Sequence, residues 1–491
     1  MKRIALLLLL AATLEARPIA IVNVNVIAMT SDAVTPSQTV IVDRGRIVTI
    51  GSVSTTPVPD GAQTIDGQGG YLIPGLCDLH VHLTDRDDLA LYVANGVTTV
   101  FNLDGDESTL ALRKAPPPLA PRILTAGPKL IGVPGAERAR AIVAEQAAAG
   151  YDAIKIYDDI AADALPELVR VAREKGLLSI GHIPRNLKWQ DMLAARPDAI
   201  AHAEEFLYSP VLDGDEERIA ASMKANGTSL IATLITYDTI GLQVDDVDAM
   251  LARPENAYAN VAIRNLWSRA NNRYASRWDA SKVPTLRRRL VFQKTLVRQL
   301  GAAGIPILLG TDAGGVPFVI PGFSAIAELR ELVSAGLTPY AALRAATAGA
   351  AHFIRRDQDL GTIEAGKIAD LVLLRGNPLA NIDDVALRAG VMTNGEWHDE
   401  AQLQGALAHV AEINAAEAAV VTACNGTIDA CVAAARKIRP RDTTLNELAY
   451  QLLYISKRKD DAVRLFRANA ELHPESAIAR GSLAEVVGKK E

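Results

Sequence analysis

The sequence predicts an α/β protein built around a (β/α)8 barrel of the TIM type. Three observations predict it. From Tyr71 to about residue 355, apolar runs of strand length alternate with Ala- and Leu-rich helical stretches, the pattern of a parallel sheet closed into a barrel. On both flanks, at 18–70 and 356–399, β-branched runs are broken by glycine and proline turns; they read as two halves of one small composite β-sandwich domain. Over 400–491 the chain reads as helices alone.

Composition fits that outline. Of 491 residues, 49% are hydrophobic and 22% charged, enough apolar surface to exclude disorder over most of the length. The formal net charge of -6 argues against a nucleic-acid partner, which selects for a basic excess. Three cysteines are too few for a disulfide scaffold or a thiolate zinc module.

Taken in order, residues 1–16 carry a basic head at Lys2-Arg3, an apolar run from Ile4 to Ala12 and a small residue at Ala16. That is the layout of a secretory signal, and the run is shorter than the ~20 residues a spanning helix needs. A buried first strand or helix is the other reading. With a signal, the mature protein belongs in the periplasm or outside the cell, free of the membrane. The first flank has strand runs at Ile19–Val26, 39–42 and 46–50, with turns at Gly45, Gly51 and Pro57. Barrel strands are expected at 96–102, 153–157, 177–182, 199–202, 230–234 and 306–309. Between 245 and 300 the strand signal stops, and a helical insertion rich in Arg, Asn and Trp intervenes. Strand character returns at 360–363 and 369–374.

The candidate chemistry lies at the strand ends. In Asp78-Leu79-His80-Val81-His82, residues two apart share a face, so His80 and His82 can chelate one ion. Lys155 and Tyr157 alternate with Ile154 and Ile156, which turns the lysine inward. A buried lysine is unfavourable unless paired or chemically used. His182, His202 and Asp312 each follow an expected strand, on the barrel face where such folds do chemistry. Singly, each of these residues could be a capping or core residue. Together they place four of the chain's eight histidines at strand ends or interiors, about one strand-plus-helix unit apart.

This ordered set, His80, His82, Lys155, His182, His202 and Asp312, resembles the metal-dependent amidohydrolase superfamily. The resemblance is strongest to its binuclear imidazolonepropionase-like and Xaa-Pro dipeptidase-like group. It is carried by Pro74-Gly75-Leu76-Cys77-Asp78-Leu79-His80-Val81-His82, by Ile154-Lys155-Ile156-Tyr157, by Gly310-Thr311-Asp312-Ala313-Gly314 and by the run from Gly361 to Val372. The resemblance implies two divalent ions, zinc being the expected metal. His80, His82 and Asp312 would hold one ion, and His182 and His202 the other. Lys155 would be carboxylated by carbon dioxide and bridge them. The implied enzyme hydrolyses an amide or peptide-like C–N bond of a small molecule or short peptide through a metal-activated hydroxide. Asp312 would act as general base and acid. Tyr157 would donate a hydrogen bond to the substrate carbonyl, or support the site by packing. Burial and nearby dications both favour the neutral lysine amine that carbon dioxide requires.

Substrate choice stays open. Relatives in the peptidase-like group carry a histidine after the third strand, and here Thr125 to Gly135 has none. Lys129 and Arg185 either bring positive charge to the mouth or are simply solvated. Trp267, Arg269, Arg273, Tyr274, Arg277 and Trp278 of the insertion form either a lid or an ordinary helix face. Alternation turns Cys77 away from the histidine face, as a packed thiol. Cys424 and Cys431 flank Asn425-Gly426, a helix breaker that lets them staple a hairpin; in one continuous helix they would stand ~10 Å apart, too far to bridge. Residues 445–487, with Ala462, Phe466, Ala470 and Pro474, resemble one tetratricopeptide-like (TPR-like) helix pair, packed on the barrel or at the interface of a homo-oligomer. The competing functions are a mononuclear cyclic-amidine or lactam hydrolase or deaminase of the same superfamily, and a non-catalytic exported binding protein.

Overall fold

The computed structural model describes residues 17–209 and 215–488, so the expected signal at 1–16 lies outside the described residues. The first flank forms β1 (Ile19–Val26), β2 (Thr35–Asp43), β3 (Arg46–Ser52), β4 (Gln63–Asp66) and β5 (Tyr71–Pro74). The barrel region forms β6 (Leu76–Val81), β7 (Val97–Asn102), β8 (Arg122–Thr125), β9 (Leu130–Val133), β10 (Ala153–Ile160), β11 (Leu178–Gly181), β12 (Ala199–Ala201), β13 (Ser229–Ile231) and β14 (Ile307–Leu308). The second flank adds β15 (Leu371–Leu374), β16 (Arg388–Thr393) and β17 (Glu396–Asp399).

Strands of the two flanks meet in one sheet. They build a single mixed eight-stranded sheet, in the order β17-β16-β15-β5-β1-β2-β3, with β4 beside β1. Register shifts within β1–β2 and β15–β16 bend the sheet until hairpin turns from its two ends touch. A Cβ on Gly395 would stand 2.2 Å from the Gly45 Cα, and both glycines hold positive φ, +80° and +75°, which only glycine adopts without strain. The curled sheet wraps its own core of Ile21, Val40, Leu72, Leu371 and Met392. The strand-like run 360–363 is irregular. Ile363 donates its N–H to the Ala28 carbonyl at 3.0 Å and drops its side chain into this core.

The strands of this region are parallel and, within each ladder, neighbours in chain order, an arrangement consistent with a TIM-type barrel. β6–β7–β8 make one ladder and β9–β10–β11–β12–β13–β14 another. Parallel bridges connect the two ladders, Val81 of β6 to Ala313 beyond β14 and Ala126 beyond β8 to Ala153 of β10, beside the edge strand β9. Ile154 and Ile156 face the surrounding helices, packing with Leu165 and Leu168, as alternation requires. Leu79, Phe101, Ala153, Ile180, Ala201, Ile231 and Leu308 form the inner apolar floor. The run 230–234 is strand only to Ile231; Thr233 is left-handed, with φ 48°, and a helix starts at Leu234.

The insertion between β13 and β14 is helical, from Leu234–Asp245 to Val283–Ala302. The described C-terminal residues form helices Glu400–Cys424, Ile428–Ile438, Asp442–Tyr450, a π turn Gln451–Ile455, Lys459–Leu472 and Ala477–Gly488. The helix Glu400–Cys424 is long and apolar enough to cross a membrane. It nevertheless packs Leu403, Leu407 and Val410 into the core around the barrel and buries Asn414 and Glu417 against Arg441. The later helices enclose Val420, Cys431, Leu445 and Phe466 in a core shared with Val261 and Ala262 of the insertion. Cys424 and Cys431 form a disulfide, with Cα atoms 4.3 Å apart, across the break at Asn425-Gly426.

Candidate metal centre

Strict alternation would separate His80 from the inner floor, because Cys77 and Leu79 already face that floor. The ladder slips between Asp78 and Val81, and this extra residue brings His80 to the same interior. So Cys77 is not on the opposite face. It lies in the inner cluster, its thiol pushed up to about 12 by burial. His202 also breaks alternation: it follows the inward Ala201 and still turns inward, because its φ is 73°. Asp312 is left-handed as well, with φ 59°. Such backbone is uncommon for non-glycine residues and clusters at functional sites.

The six residues expected as ligands come together. His80 Nε2 lies 3.4 Å from Lys155 Nζ and 3.3 Å from Asp312 Oδ1. His82 Nε2 lies 2.8 Å from the same carboxylate oxygen. The His202 ring centroid is 4.4 Å from that of His80 and 4.8 Å from that of His182. Ligand atoms of His80, His202 and Asp312 all lie within 4.8 Å of one another. A cleft of about 310 Å³ opens onto His82, Lys155, His182, His202 and Asp312. Tyr157 lines it too, its ring 4.5 Å from His182.

Burial sets the protonation states. It holds His80 and His182 well below the usual imidazole range and His202 at about 3, and the Lys155 charge adds to the effect on all three. Burial likewise lowers Lys155 to about 8. It works to raise Asp312, but the His82 hydrogen bond and nearby positive charge, including that of Lys155, outweigh it, leaving the carboxylate below its ordinary value. Neutral imidazoles, an ionised carboxylate and an amine near neutrality are the forms that bind or approach divalent cations. His80 Nε2 faces Lys155 and Asp312, and its Nδ1 is buried without a hydrogen-bond partner. The residues therefore fit a metal centre of N and O ligands.

A second layer orients the first. Glu205 Oε1 lies 3.2 Å from His182 Nδ1, and Thr233 Oγ1 lies 2.7 Å from His202 Nδ1. Asp78 accepts from the His80 and Thr311 backbone N–H groups and the Thr311 hydroxyl, at 3.3, 3.0 and 2.6 Å, tying β6 to the end of β14. Burial raises Asp78 to about 7. Such partners fix the orientation of metal-ligating histidines. Asp78 belongs to the motif that holds His80 and His82, but nothing in the sequence assigns it this role, and Thr233 carries no signal. Only Glu205, three residues after His202, carries a positional hint.

The remaining candidates divide. Lys129 lines the cleft, paired with Asp104 at 2.7 Å and 5.6 Å from the Tyr157 ring centroid. Arg185 does not line it; its guanidinium donates to both Glu205 oxygens, at 2.9 and 3.2 Å, and stacks on Tyr208. Of the six insertion residues, only Arg273 reaches the cleft. Trp267 packs on Phe318, Tyr274 on Trp278, and Arg269 pairs with Asp248.

A family model described as the amidohydrolase family matches residues 71–398. Over 366 residues the chain is 22% identical to an adenine deaminase of Mesorhizobium japonicum, covering 72% of this chain and 53% of that one. This chain thus spans about half the length of that relative. Its fold is similar to that of a Xaa-Pro dipeptidase crystallised with methionine in its active site, with TM-score 0.63 and 19% identity over 78% of this chain and 100% of that one. It is similar also to a bottromycin amidohydrolase, with TM-score 0.65 and 25% identity over 81% of this chain and 91% of that one.

Proposed function

The chain belongs to the amidohydrolase family, and from that premise we propose an exported hydrolase that cleaves an amide or peptide-like C–N bond of a small molecule or short peptide, with two divalent ions, zinc being the expected metal. One convergence carries the reading: His82, Lys155, His182, His202 and Asp312 line one cleft and His80 lies against Lys155 and Asp312, all from β6, β10, β11, β12 and β14 or the turns that follow them. His80, His82 and Asp312 would hold one ion, and His182 and His202 the second, with a carboxylated Lys155 between them. Bound there, such ions supply Lewis acidity, which polarises a carbonyl and eases deprotonation of a water. Lys155 is buried and held toward its neutral amine; in that form its lone pair adds to carbon dioxide and one proton leaves.

The protein's own groups then divide the work. Asp312, kept ionised beside His82, takes a proton from the attacking water and returns it to the leaving nitrogen. Water oxygen bonds to the carbonyl carbon and the C–N bond breaks. Tyr157 donates a hydrogen bond to the carbonyl oxygen as negative charge develops there. Glu205 and Thr233 hold the His182 and His202 rings in place. The edge bridges support a closed (β/α)8 barrel. Burial of Ala462 and Phe466 between the last helices supports a TPR-like pair. The Cys424–Cys431 disulfide supports an oxidising destination, the periplasm or beyond.

The test is the metal content of purified protein by plasma mass spectrometry, beside a hydrolysis panel of N-acyl amino acids, dipeptides, lactams and lactones. Two ions per chain with turnover of an amide support the proposal; no retained metal and no turnover sink it. A second reading, a one-metal deaminase or lactam hydrolase, draws on the adenine deaminase relative and on the tight His80–His202–Asp312 group. One ion per chain, with ammonia released from an aminopurine or a lactam opened, selects that reading.

A further inference from the structure

Beside the metal-ligand cleft lies a second cavity of about 320 Å³, large enough for a small organic group. The two cavities share Arg273, Gly314 and Gly315 as a common border. At Gly315 this border packs directly on the candidate ligands: a Cβ there would stand 2.7 Å from Asp312 Oδ1 and 2.9 Å from His82 Cδ2. The second cavity thus begins one residue's width from the Asp312 carboxylate, within reach of a group carried by a substrate held there.

The walls are mainly apolar, with Thr84, Asn260 and Asn271 as polar interruptions, and the apolar side chains come from three parts of the chain. Ile263, Leu266 and Trp267 belong to the insertion, Val316 and Val319 to the segment after Asp312, and Ile455 to the C-terminal helices. Trp267 is 4% exposed at the wall, while Ile455 is 52% exposed, an apolar side chain left in water at the rim. The carboxyls that border the cavity, Asp88 and Glu447, are both pushed by burial toward their uncharged forms. The Arg273 guanidinium is engaged at the border by the Gly315 carbonyl, at 2.6 Å.

We propose that this cavity is the specificity pocket of the hydrolytic site: it takes a bulky, uncharged apolar group, aliphatic or aromatic, carried next to the scissile bond, and the C-terminal helices form one of its walls. The inference rests on the hydrolytic reading of the neighbouring cleft. It gives the extension a role in substrate choice that the family match, which ends at residue 398, does not cover. Burial of such a group should raise kcat/KM roughly 10- to 150-fold over a substrate with hydrogen at the same position.

The experiment uses metal-loaded full-length protein and whichever amide class it turns over, in a series bearing hydrogen, methyl, isobutyl and benzyl at the position next to the bond. The expected result is a rise along the series, with the benzyl-to-hydrogen ratio of kcat/KM cut by about 5-fold or more in Ile263→Phe, which narrows the pocket, and in Ile455→Asp, which charges its rim. Ile455 is exposed, so its substitution does not threaten folding. A ratio near one in the unaltered protein, or a ratio unmoved by both variants, overturns the inference while leaving hydrolysis intact. If no amide reacts, the hydrolytic reading fails separately, and the pocket is judged with benzyl alcohol on metal-free protein. A saturable shift of tryptophan emission, lost in Trp267→Phe, supports the pocket; no shift overturns it.

Discussion

Replacing Arg441 with methionine should destabilise the protein by about 3–5 kcal/mol, the usual cost of removing one partner from a buried ion pair. The Arg441 side chain is 13% exposed and lies 3.0 Å from Asp85 Oδ2 and 2.8 Å from Glu417 Oε2, whose side chains are 1% and 4% exposed. Asp85 also accepts from Asn260 and the Thr443 hydroxyl, both at 2.9 Å, and Glu417 accepts from the Thr444 hydroxyl at 2.7 Å. One guanidinium thus neutralises acids from the loop after β6 and from the helix Glu400–Cys424. Methionine keeps the stem's packing and removes the cation, leaving two desolvated carboxylates. Urea unfolding followed by circular dichroism measures the loss, which is large beside a domain stability of ~5–15 kcal/mol. Adding Asp85→Asn and Glu417→Gln to Arg441→Met removes the stranded charges while keeping acceptors for Asn260 and Thr444, so most of the loss should return. A single-variant loss below about 1 kcal/mol, or a triple variant no better than the single one, would refute the reasoning that this hub is desolvated.

The other expectations are as direct. His82→Ala and Lys155→Ala should each abolish turnover and lower bound metal, read by plasma mass spectrometry; full activity in either would remove the residue from the centre. Thr233→Val takes away the hydroxyl 2.7 Å from His202 Nδ1 and should weaken metal binding about 10- to 100-fold in a chelator competition. Cys424→Ser with Cys431→Ser frees a loop of sequence separation 7 and should cost about 2–2.5 kcal/mol by loop entropy in the same urea assay. Burial lowers the pKa of His398, outweighing Glu396 and Asp399. The unfolded chain therefore takes up a proton near pH ~6.5 that the folded chain refuses, and stability falls as pH drops below that value. In His398→Phe, the fall in urea midpoint between about pH 7 and 5 should be shallower; an identical slope counts against it.

Much of the site was legible because its residues stand where short apolar runs end. Ile154 and Ile156 announce the outer face of a barrel strand, and Lys155 and Tyr157 between them must turn inward. What stayed hidden is geometry that no residue type specifies. The slip between Asp78 and Val81 overrides the alternation that would have parted His80 from the floor. The left-handed backbone at His202 and Asp312 does the same at two other strand ends. Thr233 and Glu205 reach the histidines through turns whose course depends on the whole barrel. The β character of both flanks is readable, but the register shifts that curl their sheet until Gly45 meets Gly395 are not, because only tertiary packing brings those turns together. Nothing near Arg441 in sequence marks it as a hub, because its partners Asp85 and Glu417 come from distant parts of the chain.

The sheet that joins both flanks has a consequence for how the protein is made. Pro74 of β5 pairs with Leu371 of β15, so β5 must wait for ~300 residues of later chain, roughly 15–60 s at ribosomal speed. Throughout that interval β5 is an open edge on a nascent chain, and any truncation before β15 leaves it open for good, a site for pairing with other copies.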